Sequence, residues 1–196
     1  MISLLALAAL LLDGSDARQE PVVGLPCEGC ELVMDGMPEV LAPEGRIAPA
    51  GEPGEPLTVD GTVHDADGSP APGIIVYAYQ TDANGIYPRG PTGHGRLRGW
   101  AKTDAEGRYR FTTIRPGAYP GRDIPQHIHL HILEPGNVTY YIDDITFTDD
   151  PLLPDTERTR TTCRGGCGVS EPRRDADDTW RVRRDIVLGL EIPGYE

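Results

Sequence analysis

The chain has 196 residues, 38% of them hydrophobic, with 31 acidic side chains against 18 basic ones and a formal charge of -13. That length buries one substantial core and points to one domain, while the acidic balance excludes a protein that tracks nucleic-acid phosphates through a basic surface. Nineteen prolines and 24 glycines in short clusters favour strands joined by turns over long helices.

The first residues, MISLLALAALLLDGSDA, place an apolar run from Ile2 to Leu12 before small residues ending at Ala17. This is the layout of a short secretory signal with Ser15 and Ala17 at cleavage positions, although the usual positive residue near the start is missing. The run is too short to span a bilayer. We therefore expect a signal peptide at 1–17, a secreted or periplasmic mature chain, and no stable membrane insertion. Residues 18–56, which include PEGRIAPAGEPGEP, lack apolar periodicity and read as an extended arm. Four cysteines form two close pairs, Cys27 with Cys30 and Cys163 with Cys167. In an exported chain they make two disulfides, with three pairings open; a four-thiolate zinc site and free redox-active thiols are the competing readings.

The main domain is expected over 57–196. LTVDGTVHD alternates as a strand from Leu57, DADGSPAPG turns, and IIVYAYQ returns as a second strand. Asp82-Ala83-Asn84-Gly85 turns the chain ahead of Tyr87, and 86–99 is a long loop containing His94. Short strands follow at 99–102 and 108–114. HIHLHIL, 127–133, has strict period two, so His127, His129 and His131 share one face. VTYYIDDITF forms one bent strand or two short ones, and TWRVRRDIVLGL supplies a terminal strand. Arg181, Arg183 and Arg184 with Asp185 read as its solvated face. Seven to nine short strands with Gly/Pro turns define an all-β protein, a β-sandwich.

The chemistry concentrates in Tyr87, Tyr119, His127 and His129. Two phenolates and two imidazoles suit a non-haem ferric ion, because hard anionic oxygens stabilise Fe(III) while imidazoles complete a site with an open position. Taken singly, alternating histidines also occur on polar sheet faces, and tyrosines often pack at boundaries with the hydroxyl satisfied locally.

Three ordered stretches, DGTVHDADGSPAPGIIVYAYQTDANGIY, KTDAEGRYRFTTIRPGAYP and HIHLHI, resemble the intradiol ring-cleavage dioxygenases, the family of protocatechuate and catechol dioxygenases. The resemblance covers roughly 57–150, with a weaker echo in RRDIVLGLEIPGY. It implies the sandwich of that family and Fe(III) held by Tyr87, Tyr119, His127 and His129. It implies intradiol cleavage of a catechol by dioxygen to a muconate-type dicarboxylate, with Tyr119 taking a substrate proton and no organic cofactor, and it allows a homodimer. His131 falls outside the implied ligand set; His64 reads as a turn residue and His94 as a loop residue with a claim to the pocket.

Two positions depart from the family pattern. Where members carry an Arg three residues before the first histidine, this chain has Ile124, leaving Arg122 and Gln126 as the expected donors toward substrate. Where members carry a Thr-Gln pair ahead of an aromatic pair, this chain has Asp143-Asp144. The rival reading is a noncatalytic secreted β-sandwich that binds a ligand or a metal; it accounts for the first two strands and poorly for the tyrosine and histidine spacing.

Overall fold

The computed structural model describes residues 21–27 and 29–196; the expected signal segment at 1–17 lies outside them. In chain order the strands are β1 (Glu44–Arg46), β2 (Pro56–His64), β3 (Ile75–Gln80), β4 (Arg98–Lys102), β5 (Arg108–Ile114), β6 (His127–Leu133) and β7 (Thr139–Phe147). A one-turn helix α1 (Asp155–Arg158) precedes the short strands β8 (Val169–Ser170), β9 (Arg173–Arg174), β10 (Trp180–Arg183) and β11 (Ile186–Val187). One sheet runs β1-β5-β2-β10-β9, with β11 also on β2, and the other runs β4-β3-β6-β7-β8. The chain is the all-β sandwich that its turn spacing predicts.

Alternation places the core between the sheets. Ile128, Leu130 and Ile132 of β6 meet Val76 and Ala78 of β3, Ile142 and Phe147 of β7, and Val59 and Phe111 from the opposite sheet, all buried in one cluster. The odd residues of β6 therefore stand on the outer face of the second sheet, where water would reach them without a cover. The arm supplies part of that cover. Val33, fully buried, joins Tyr77, Ile75 and Leu133 in a second apolar cluster with Met34, Met37, Leu41 and Trp100 against it. The Trp100 indole N–H donates to Val33 O at 2.8 Å. The arm also contributes β1, parallel to β5, so it is woven into both sheets' surroundings and does not hang from their edge.

Two expectations change. The terminal strand is two short strands, and Arg184 between them is buried where a solvated face was expected. Its two Nη groups donate to the carbonyls of Gly165, Gly166, Asp143 and Asp185, which offsets much of the penalty of burying the charge, while Nε has no partner. The cysteines pair within each close pair, Cys27–Cys30 and Cys163–Cys167. Among the described residues no four-cysteine cluster forms.

Candidate metal centre

β6 delivers His127 and His129 side by side because they are two residues apart on one pleated face. Tyr87 arrives from the loop after β3 and Tyr119 from the loop after β5. Their donor atoms form an unbroken series: Tyr119 Oη to Tyr87 Oη at 2.7 Å, Tyr87 Oη to His129 Nε2 at 2.9 Å, and His129 Nε2 to His127 Nε2 at 3.1 Å. Glycine makes the tyrosine loops meet: a Cβ on Gly85 (φ 76°) would fall 1.8 Å from the Ala118 carbonyl oxygen.

The imidazole tautomers follow from the outer partners. His127 Nδ1 lies 2.7 Å from Pro125 O, and His129 Nδ1 lies 3.1 Å from Asp144 Oδ1. Both acceptors require N–H at Nδ1, so in neutral rings both Nε2 atoms present lone pairs to one another. Two facing lone pairs at that distance repel unless a cation is bound by both. The phenols agree with this. Burial, then the hydrogen bond with Tyr119, pushes the Tyr87 hydroxyl far above its ordinary range, so only a strong cation would make it a phenolate. Burial, reinforced by His129, lowers His127 below the usual imidazole range and keeps it neutral. The donor set fits a hard trivalent cation such as Fe(III), and the carboxylate behind His129 is the outer contact that commonly orients a metal-bound imidazole.

Asp144 reaches that position through a bulge. Between the pairs Ile128–Ile145 and Leu130–Ile142, β6 advances two residues and β7 three. The extra residue in β7 lies opposite His129, so both Ile142 and Ile145 enter the core while Asp144 turns to the outer face. Burial alone would raise the Asp144 carboxyl, but His129, His127 and His131 together outweigh it and hold it below the usual carboxylate range.

Two cavities meet at the donors, and Tyr119, His129 and Asp144 line both. The first, about 640 Å³, is walled by Tyr79, Tyr87, His94, His131 and the arm at Cys27, Gly29 and Leu32. The Tyr79 ring stacks between His94, at 3.8 Å centroid to centroid, and His129, at 4.5 Å. The second, about 530 Å³, is roofed by residues 153–169 and lined by Ile124, Leu153, Arg160 and Arg164. Both arginines pair with Asp143, and Arg160 also with Glu157.

The structure thus brings Tyr87, Tyr119, His127 and His129 together and leaves Arg122 and Gln126 aside. Gln126 precedes His127, so the alternation turns it away; its Oε1 accepts from Arg115 Nε at 2.8 Å. Arg122 is exposed on the turn after Tyr119 and lines neither cavity. His94 lines the first cavity, His64 accompanies a turn through Gly68 O, and His131 is buried in the same wall. Sequence reasoning missed Asp144 as a partner of His129, and Arg160 and Arg164 as cavity walls.

A family model described as "Dioxygenase" matches residues 42–188. The chain is 38% identical over 118 residues to the protocatechuate 3,4-dioxygenase beta chain of Burkholderia cepacia, covering 53% of this chain and 49% of that one. It is 32% identical over 156 residues to the 6-chlorohydroxyquinol 1,2-dioxygenase of Cupriavidus pinatubonensis, covering 70% and 55%. The dioxygenase domain of a dioxygenase carbohydrate-binding fusion from Streptomyces sp. SirexAA-E superposes with a TM-score of 0.58 at 26% identity, covering 80% of this chain and 96% of that domain. The chain belongs to the intradiol ring-cleavage dioxygenase family. It spans about half the length of the Burkholderia and Cupriavidus proteins.

Proposed function

We propose that the chain cleaves a catecholic aromatic compound between its two hydroxyl-bearing carbons, using dioxygen and an Fe(III) ion held by Tyr87, Tyr119, His127 and His129. The observation that carries this reading is the convergence of two phenol oxygens and two lone-pair nitrogens in one series with separations of 2.7–3.1 Å. When bound, ferric iron supplies Lewis acidity that gathers both catechol oxygens, and the ring itself supplies the electrons that dioxygen takes. Both oxygen atoms enter the product, a muconate-type dicarboxylate, so no external reductant or organic cofactor is needed.

The chain's own residues divide the remaining work. Tyr119 borders both cavities, so its phenolate oxygen has access to a substrate hydroxyl proton, while Tyr87 borders the first alone. Asp144 and Pro125 O fix the two imidazoles, and Tyr79 packs flat behind His129. The named substrates of the Burkholderia and Cupriavidus relatives support a catechol or hydroxyquinol ring. Two short-range disulfides and the apolar N-terminal run support an exported enzyme.

The test is iron content and the visible spectrum of purified protein, before and after anaerobic addition of catechol. About one ferric ion per chain, with a phenolate-to-iron band that shifts on catechol addition and ring-opened product once air is admitted, is the expected result. Protein that stays colourless and iron-free after ferric reconstitution would overturn it.

A further inference from the structure

The outer face of β6 carries a third histidine that the iron centre does not use. His131 is 2% exposed, and its Nδ1 lies 3.4 Å from Cys30 Sγ and 3.9 Å from Cys27 Sγ. The two sulfurs and the imidazole nitrogen all fall within 4.8 Å of one another. Among the described residues, the Cys163–Cys167 pair joins no such cluster.

The backbone holds this arrangement in place. Gly29 adopts φ 86° between the cysteines, and a Cβ there would stand 2.1 Å from His94 Nε2, so a residue without a side chain lets the turn lie on the His94 ring. The short 3-10 turn Cys30–Leu32 then runs into the buried Val33. His131 is fixed from below by strand pairing on both sides, to Tyr77 and to Tyr141. Cys30 and His131 are thus held by backbone contacts other than the sulfur–sulfur bond.

We infer that the dithiol form of Cys27 and Cys30, together with His131, is a second metal site, selective for a borderline-soft d10 cation of the zinc class. Two thiolates and one imidazole are a familiar zinc donor set, and three protein donors leave a fourth position for water. This site is distinct from the ferric centre, whose hard phenolates select a different ion. In the oxidised chain the two sulfurs are bonded to each other and carry no thiolate charge, so the cation is not held.

Conversion is balanced by an external dithiol. That reductant gives two electrons and two protons to the Cys27–Cys30 bond and becomes a disulfide itself; cation binding then releases the two thiol protons. The bond closes a loop of sequence separation 3, and such short loops restrict the unfolded chain least, so opening it leaves the fold standing. Cys27 borders the first cavity, so thiol reagents have a route to it.

The experiment uses the full chain, reduced anaerobically with a phosphine and titrated with cobalt(II), whose thiolate charge-transfer absorption marks sulfur ligation. We expect one thiolate-bound cobalt per chain, displaced by zinc(II), absent before reduction and absent in the Cys27→Ser/Cys30→Ser protein. The band should persist in Cys163→Ser/Cys167→Ser, and His131→Ala should weaken cobalt binding by at least about tenfold. A reduced wild-type chain that shows no such band, that unfolds by circular dichroism, or whose band follows Cys163 and Cys167 would overturn the site. Unchanged affinity in His131→Ala would remove the imidazole, and with it the proposal.

Discussion

Asp144 stands 3.1 Å from His129 Nδ1 only because β7 carries one more residue than β6 between Ile142 and Ile145. The carboxylate fixes the proton on Nδ1 and leaves the Nε2 lone pair turned toward the other donors. Asp144→Asn should lower iron affinity by roughly 10- to 100-fold, the usual cost of losing such an outer contact. Competition with a chelator measures it, and undiminished affinity would show that the contact is structural only.

The four donors should separate by type. His127→Ala and His129→Ala should each abolish stoichiometric iron, whereas Tyr87→Phe and Tyr119→Phe should retain some iron and change the charge-transfer colour. Metal analysis and visible spectra of the folded variants decide this; unaltered iron and colour in all four would sink the ligand assignment.

Ile124 lines the second cavity, where the arginines opposite are already paired with Asp143 and Glu157. A ring bearing its own carboxylate meets two arginines whose charges already face carboxylates, with Arg164 Nη1 the donor left unpartnered. Ile124→Arg should therefore raise kcat/KM for a carboxylated catechol relative to plain catechol by roughly tenfold, a fraction of what one preorganised donor can contribute. Parallel oxygen-uptake assays on the two substrates give the ratio.

Ile128 is fully buried, lies between His127 and His129 in sequence and faces the opposite side of the sheet. Ile128→Ala should cost about 2–5 kcal/mol of stability through lost contacts and the cavity left behind. Urea unfolding of iron-free protein isolates that cost from any change in metal binding.

Tyr77 ties stability to alkaline pH. Burial pushes the Tyr77 phenol up to about 12, against the partial opposition of Arg98. Below pH 10 folded and unfolded chains both hold this proton; between pH 10 and 12 the unfolded chain releases it while the folded chain keeps it, so stability falls as pH rises. The loss from this residue should reach about 2–3 kcal/mol above pH 12. Tyr77→Phe should flatten that part of the pH–stability curve, at some cost from the hydrogen bond to His94 Nδ1.

β6 was legible to the residue because HIHLHIL alternates without a break and its bounds coincide with the run. The four donors were legible for the same reason together with the family stretches. Asp144 was not, since a bulge is a mismatch between two strands and neither strand shows it alone. Arg184 looked like one more exposed cation because the carbonyls that its Nη groups donate to come from residues 143, 165, 166 and 185, three of them distant in sequence. The arm's strand β1 has three residues, too few for periodicity, and depends on Gly45, where a Cβ would fall 2.4 Å from Trp100 O.

Both disulfides lie in the covers over the donor face and neither lies in the sandwich: Cys27–Cys30 borders one cavity and Cys163–Cys167 the other. His127 and His129 stand on β6 within the sandwich, while the walls over them come from the arm and from residues 153–169, outside it. Exchanging residues in either wall should change which ring is accepted and leave the four donors in place, much as a lock is rekeyed without replacing the door.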